Sequence, residues 1–191
     1  MKKFIGFLLL IGLFSPGLLS QQSTSVTNPS FRYQATPGFV NISEINGGSG
    51  SYYCDPAVSK YYFGLTNVFG YQFSRSFMGG IGLGYFQLDK GFYLPLYLEN
   101  KYSFYLKSFT ASAILDGGVL IDHSAPLDDS KIFLNPGAGI SRTITPNLEI
   151  SFSAGYMIQN RTTLSRVGFL NCKAGLIYRK NPFRMFKSGK N

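Results

Sequence analysis

The chain has 191 residues, of which 45% are hydrophobic, 16% aromatic and 14% charged. That balance excludes a disordered chain, which needs high charge and few aromatics, and the length suits one domain with a tail. The formal charge is +9, and one histidine with two cysteines excludes a zinc-finger array or a disulfide scaffold.

The first segment reads as an address. Lys2 and Lys3 form a positive start, Phe4 to Phe14 is an apolar run, and Ser15-Pro16-Gly17 breaks it. This is the pattern of a secretory signal peptide, with cleavage expected after Ser20. The apolar run is too short for a membrane helix, which needs about 20 residues. No cysteine follows it at once, so a lipoprotein anchor is not expected. A polar lead over 21–37 comes next.

From Gly38 onward the hydrophobic period is two. Phe77, Ile81, Leu83 and Tyr85 alternate with Met78, Gly80, Gly82 and Gly84. Phe92, Leu94, Leu96 and Leu98 alternate with Tyr93, Pro95, Tyr97 and Glu99. Leu148, Ile150, Phe152, Ala154 and Tyr156 repeat the pattern, as do Leu170, Cys172, Ala174, Leu176 and Tyr178. A helix would repeat at three and four, so these are strands. Eight are predicted, over 38–48, 60–73, 77–88, 92–105, 109–121, 131–144, 147–157 and 167–179. The first has the weakest pattern. Most are longer than the soluble-strand mode of about 5–6 residues and fit the ~9–11 of a tilted membrane strand.

The connections alternate in length. Short turns are expected at 74–76, 106–108 and 145–146. Longer loops are expected at 49–59, 122–130 and 158–166, with 89–91 a short exception. Turns on the periplasmic side and loops outside are how outer-membrane barrels are built. An even strand count then leaves both termini in the periplasm. Arg179, Lys180, Arg184, Lys187 and Lys190 fall in the last thirteen positions without an acid. The basic character therefore belongs largely to a tail, which weakens a nucleic-acid reading.

The polar face of these strands carries Gly, Ser, Thr and Asn and few charges. A soluble barrel needs many charges on its outer face. Glycine has no evident purpose there, whereas inside a narrow barrel it makes room for bulky neighbours. The expected arrangement is apolar outside and polar inside. Glu99, Lys101, Asp116, Glu149 and Lys173 then project into the lumen. Eight strands leave an interior only wide enough for side chains, so an ion-pair network filling it is favoured over catalysis or conduction. Tyr61, Phe73, Tyr85, Phe92, Tyr102, Phe104 and Tyr178 lie toward strand ends and would form aromatic girdles.

The segments 62–73 and 79–85, with 135–141 and 148–156, resemble the small outer-membrane β-barrel domain family, similar in plan to OmpA/OmpX-type eight-stranded barrels. The resemblance spans about 38–179 and implies a fold rather than an activity. Such barrels often finish on an aromatic at the chain end. Here Asn181 to Phe186 and a polar end follow the last strand, leaving Tyr178, Phe183 and Phe186 open as the assembly signal.

Candidate chemistry is sparse. His123 beside Ser124 could suggest a hydrolase, but adjacent residues rarely bring base and nucleophile together, and no G-x-S-x-G elbow occurs. Cys54 and Cys172 could bond in an oxidising compartment, yet Cys172 reads as lipid-facing, so no disulfide is expected. Asn41-Ile42-Ser43 and Asn160-Arg161-Thr162 match the weak glycosylation pattern. No metal cluster, phosphate loop or dinucleotide motif is found, so no cofactor is expected.

The sequence therefore reads as all-β, a single eight-stranded antiparallel up-and-down transmembrane β-barrel in the outer membrane of a Gram-negative bacterium. Its organisation is a signal peptide (1–20), a periplasmic lead (21–37), the barrel (38–179) and a basic periplasmic tail (180–191). A non-enzymatic structural or interaction role is expected. The alternatives are a small pore, a lipid-modifying enzyme and a secreted lipocalin-like carrier. Expected partners are outer-membrane lipid and a periplasmic or outer-membrane protein, with no nucleic acid.

Overall fold

A computed structural model of the chain describes residues 31–34, 36–51, 60–88, 91–106, 108–123, 130–160, 166–180 and 184–187. The signal-peptide segment lies outside the described residues. The described residues form ten strands: β1 (Phe31–Gln34), β2 (Gly38–Ser51), β3 (Tyr61–Gln72), β4 (Phe77–Leu88), β5 (Gly91–Tyr105), β6 (Thr110–Asp122), β7 (Lys131–Thr145), β8 (Leu148–Asn160), β9 (Arg166–Arg179) and β10 (Arg184–Lys187). The eight predicted strands correspond to β2–β9, with every boundary within three residues. The period-two pattern is what fixes them, because it allows each strand one lipid face and one lumen face.

β2 to β9 close into a barrel in which every neighbour is antiparallel and, except at the closing pair, consecutive in sequence. The seam pairs β2 with β9, from Val40↔Arg179 to Ser51↔Gly168. Closure removes the open edges that a free sheet would expose in lipid. A strand of about 12 residues rising ~3.3 Å each, tilted by ~40°, crosses about 30 Å, the thickness of a hydrocarbon core.

The lead and tail contribute one strand each to a second sheet. β1 and β10 pair antiparallel, from Phe31↔Lys187 to Gln34↔Arg184. β1 precedes β2 and β10 follows β9, so the ribbon is joined along the chain to the two strands that form the seam.

The turns at one end are tied down locally. Gln72 Nε2 donates to Ser74 O (2.7 Å) and Phe77 O (3.2 Å), and Leu106 N donates to Phe109 O (3.0 Å). Asn147, in the β7–β8 turn, donates through Nδ2 to Arg179 O at 2.7 Å, which binds that turn to the seam.

The faces are inverted relative to a soluble barrel. Leu98 is 60% exposed, while its neighbour Glu99 is 2% exposed. Leu94, Leu96, Ile81, Leu83, Ile150, Leu170 and Leu176 also point outward. The interior is more apolar than the alternation suggested, and this corrects that expectation. Val40, Ile42, Val68, Met78, Leu120, Met157, Phe169 and Ile177 all face inward and are buried. Inward glycines are needed where a ring crosses the lumen. A Cβ at Gly82 would fall within the Tyr97 ring, and one at Gly118 would meet the Tyr97 backbone.

Candidate functional site

Among the described residues a cavity opens in the lumen, so the site is built from the inward faces of β2–β9. Two clusters of charge occupy it. In the first, Lys173 of β9 places Nζ 2.6 Å from Asp116 Oδ2 on β6 and 3.4 Å from Glu44 Oε2 on β2. Asn135 Nδ2 donates to the same Asp116 oxygen at 2.9 Å, and Asn171 Nδ2 donates to Asn135 Oδ1 at 2.8 Å. Asn46 Nδ2 donates to Thr66 Oγ1 at 2.8 Å beside them. The Lys173 ammonium also stands 5.8 Å from the Tyr97 ring centroid. Six strands, β2, β3, β5, β6, β7 and β9, thus meet around one lysine and its amide neighbours.

The second cluster lies toward the turn end. Arg179 of β9 donates through Nε to Glu149 Oε1 (2.7 Å) and through Nη1 to Gln72 Oε1 (2.6 Å). Ser141 Oγ donates to the other Glu149 oxygen at 2.9 Å. Pairing and hydrogen bonding offset the desolvation cost of charges this deep.

All five predicted lumen residues, Glu99, Lys101, Asp116, Glu149 and Lys173, are buried inside the barrel. Asp116 joins Lys173, and Glu149 joins Arg179. Glu99 stands directly across from Asp116 in the β5–β6 register. Glu99 and Lys101 enter neither set of ion pairs, and Glu99 Oε2 has no hydrogen-bond partner among the described residues.

Sequence reasoning missed Glu44, Gln72, Asn135, Asn171 and Arg179. Arg179 was grouped with the basic tail, and the structure corrects this by turning it into the lumen. The signal was parity: Lys173, Gly175, Ile177 and Arg179 share one face. Glu44 was hidden by the weak pattern of β2, whose outward face carries Asn41 and Ser43.

Those two residues form a polar cluster on the lipid side. Asn41 Nδ2 donates to Asn67 Oδ1 (2.7 Å), and Asn67 Nδ2 donates to Ser43 Oγ (2.7 Å) and Asn41 Oδ1 (3.3 Å). The amides satisfy one another where the bilayer offers no water.

Toward the loop end the lumen becomes aromatic. Tyr62 packs on Phe86 (5.0 Å between centroids) and Phe169 (5.5 Å), and Tyr97 packs on Phe133 (5.8 Å). Between these rings and the Lys173 cluster lies a cavity of about 10 Å³, lined by Asn46, Thr66, Tyr97, Asp116, Asn171 and Lys173 among others. That is about one water molecule.

The seven predicted girdle residues all point outward. Tyr61, Tyr85 and Phe92 lie at the loop end, and Phe73, Tyr102, Phe104 and Tyr178 at the turn end. Neighbouring rings pack, Tyr85 tilted against Phe92 at 5.2 Å and Tyr102 edge-on to Phe104 at 5.0 Å. Cys172 is an unpaired thiol on the outer face; Cys54 lies outside the described residues. His123 is exposed at the end of β6, and Ser124 lies outside the described residues. No group of three metal-ligating side chains occurs among the described residues.

No family model matches the sequence, and no curated protein does. Among solved structures the chain is similar to Neisserial surface protein A, at 17% identity and a TM-score of 0.54. The match covers 74% of this chain and 97% of that one. It also matches the N-terminal β-barrel domain of Pseudomonas aeruginosa OprF (14% identity, 75% of this chain, 100% of that one, TM-score 0.44). A third match is Ail, the attachment invasion locus protein of Yersinia pestis (18% identity, 75% and 100%, TM-score 0.45). The first of these likenesses and the inverted faces agree on the fold, that of a small outer-membrane β-barrel. The fold is thus the eight-stranded transmembrane barrel that the sequence resembled.

Proposed function

We propose that the chain is an integral outer-membrane protein of a Gram-negative bacterium with a structural or interaction role and no catalytic activity. Residues 1–20 serve as a cleaved signal peptide. The barrel is a membrane-spanning scaffold that presents its longer connections outside and its termini in the periplasm. Lipid is one partner, and a periplasmic or outer-membrane protein is another.

One observation carries this reading. Among the described residues the lumen is packed with ion pairs, amides and aromatic rings, and the cavity lined by Lys173 and Asp116 holds about 10 Å³. A conducting pore needs a continuous water path, and a ligand carrier needs a cavity of hundreds of Å³. The aromatic belts support the membrane placement, since amphipathic rings favour the headgroup level.

The test is electrophoretic mobility of the protein from purified outer membranes, boiled against unboiled, followed by planar-bilayer recording. A faster unboiled band without steady conductance is expected. Steady conductance altered by Glu99→Gln or Lys101→Gln would replace this reading with a pore. Altered lipid A on gene deletion, reversed by the wild type but not by His123→Ala, would replace it with an enzyme. A soluble periplasmic protein with a single mobility would replace it with a carrier.

A further inference from the structure

The turn-side rim of the barrel carries exposed bases and no acid. Every described acid, Glu44, Glu99, Asp116, Asp122 and Glu149, is buried. The sequence holds nine acids, and none falls in 31–37, in the turns at 73–76, 106–109 and 146–147, or in 180–191. Arg75, Arg142 and Lys180 are exposed at that same end. They come from the β3–β4 turn, from β7 and from the residue after β9, so they are spread around the rim. The adjoining ribbon contains Arg32, Arg184 and Lys187.

Arg142 identifies what the rim meets. It lies on the outer face of β7, four positions before the turn at Pro146. On that face its neighbours along the strand are Ile140 and Ile144, and its cross-strand partner is Ile150. All three isoleucines are exposed to the surroundings of the barrel. A guanidinium set among lipid-facing isoleucines must extend toward the headgroup plane. Its counter-charge has to come from the leaflet, because a soluble acidic protein would have to enter the headgroups to reach it. Arg75 is held at the same rim, 5.6 Å from the Tyr105 ring centroid.

We infer that the turn-side rim, through Arg75, Arg142 and Lys180, is a docking ring for anionic phospholipid headgroups of the periplasmic leaflet. This rests on the membrane reading above, with the short turns facing the periplasm. Phosphate oxygens supply paired acceptors for a guanidinium, and each base near an anionic surface adds to the attraction. Phosphatidylglycerol fits, with a phosphate and no compensating amine.

The test uses the mature full-length chain in phosphatidylcholine bilayers containing trace spin-labelled phosphatidylglycerol or spin-labelled phosphatidylcholine. The motionally restricted fraction gives the relative association of each lipid. Phosphatidylglycerol is expected to be favoured on the order of three-fold at low salt, falling toward parity in ~1 M NaCl. The triple variant R75Q/R142Q/K180Q is expected to lose the preference, and K60Q, at the opposite rim, to keep it. Should the triple variant not fold, R142Q alone is expected to lower the preference. A wild-type ratio near one, or a preference unchanged by the rim variants, overturns the inference. Sedimentation with purified peptidoglycan sacculi and no lipid preference would assign the rim to the cell wall and also overturn it. The faster unboiled band separates the two failures: its presence with no lipid preference removes only the docking ring, and its absence removes the membrane reading as well.

Discussion

Lys173 of β9 and Asp116 of β6 meet across the lumen, Nζ to Oδ2 at 2.6 Å, although 57 positions separate them in sequence. The lysine is shared, because Glu44 lies 3.4 Å away on its other side. Removing it strands two carboxylates, whereas removing Asp116 leaves the ammonium with Glu44. Lys173→Met is therefore expected to destabilise the barrel more than Asp116→Asn. The costs are about 3–5 kcal/mol against about 1–3 kcal/mol. Urea unfolding in lipid vesicles, read by gel mobility, measures both.

The inverted faces make a depth-dependent prediction. Leu98 lies at the middle of β5 and is exposed, and Phe73 lies outward at the turn rim. Leu98→Arg is expected to cost about 2–4 kcal/mol, and Phe73→Arg about 0–1 kcal/mol, when unfolding is measured in bilayers. Equal small costs would contradict lipid contact at Leu98.

Gly82 tests the packing of the lumen. A side chain there collides with the Tyr97 ring. Gly82→Val is expected to lower stability by about 1–3 kcal/mol. Gly82→Val/Tyr97→Ala should be less impaired than additivity of the two single variants requires. The fraction of faster-migrating protein after refolding reads this out.

Cys172 reports the surroundings of β9. Its thiol is exposed at mid-strand on the outer face. Thiolate chemistry needs water. In a Cys54→Ser background, a membrane-impermeant charged thiol reagent is expected to leave Cys172 unmodified in vesicles. The same reagent is expected to label it after unfolding in urea. Mass spectrometry of the intact protein distinguishes the two.

The ribbon of β1 and β10 is predicted to be dispensable for closure. Two short strands are marginal by themselves, and the seam from Val40↔Arg179 to Ser51↔Gly168 does not include them. Truncation after Lys180 should still give a faster unboiled band, with a small loss of thermal stability. Loss of that band would make the ribbon part of the barrel's closure.

The strands were legible because each must serve two solvents at once. Leu94, Leu96 and Leu98 face lipid while Tyr93, Tyr97 and Glu99 face the lumen, and that requirement writes a period of two into the sequence. Long strands, alternating short and long connections and inward glycines follow from the same closure. β2 was the least legible strand because Asn41 and Ser43 sit on its lipid face, where Asn67 satisfies them from β3. No local signal announces a partner 26 positions away.

The sequence by itself determined the strand set, the orientation of the faces and the burial of Glu99, Lys101, Asp116, Glu149 and Lys173. Parity along a strand decides each of these locally. Only the tertiary structure decided which charges meet. Lys173 chose Asp116 and Glu44, and Arg179 left the tail to join Glu149 and Gln72. Partner choice across a lumen depends on barrel closure, register and tilt. Those are properties of all eight strands together, and no single segment encodes them.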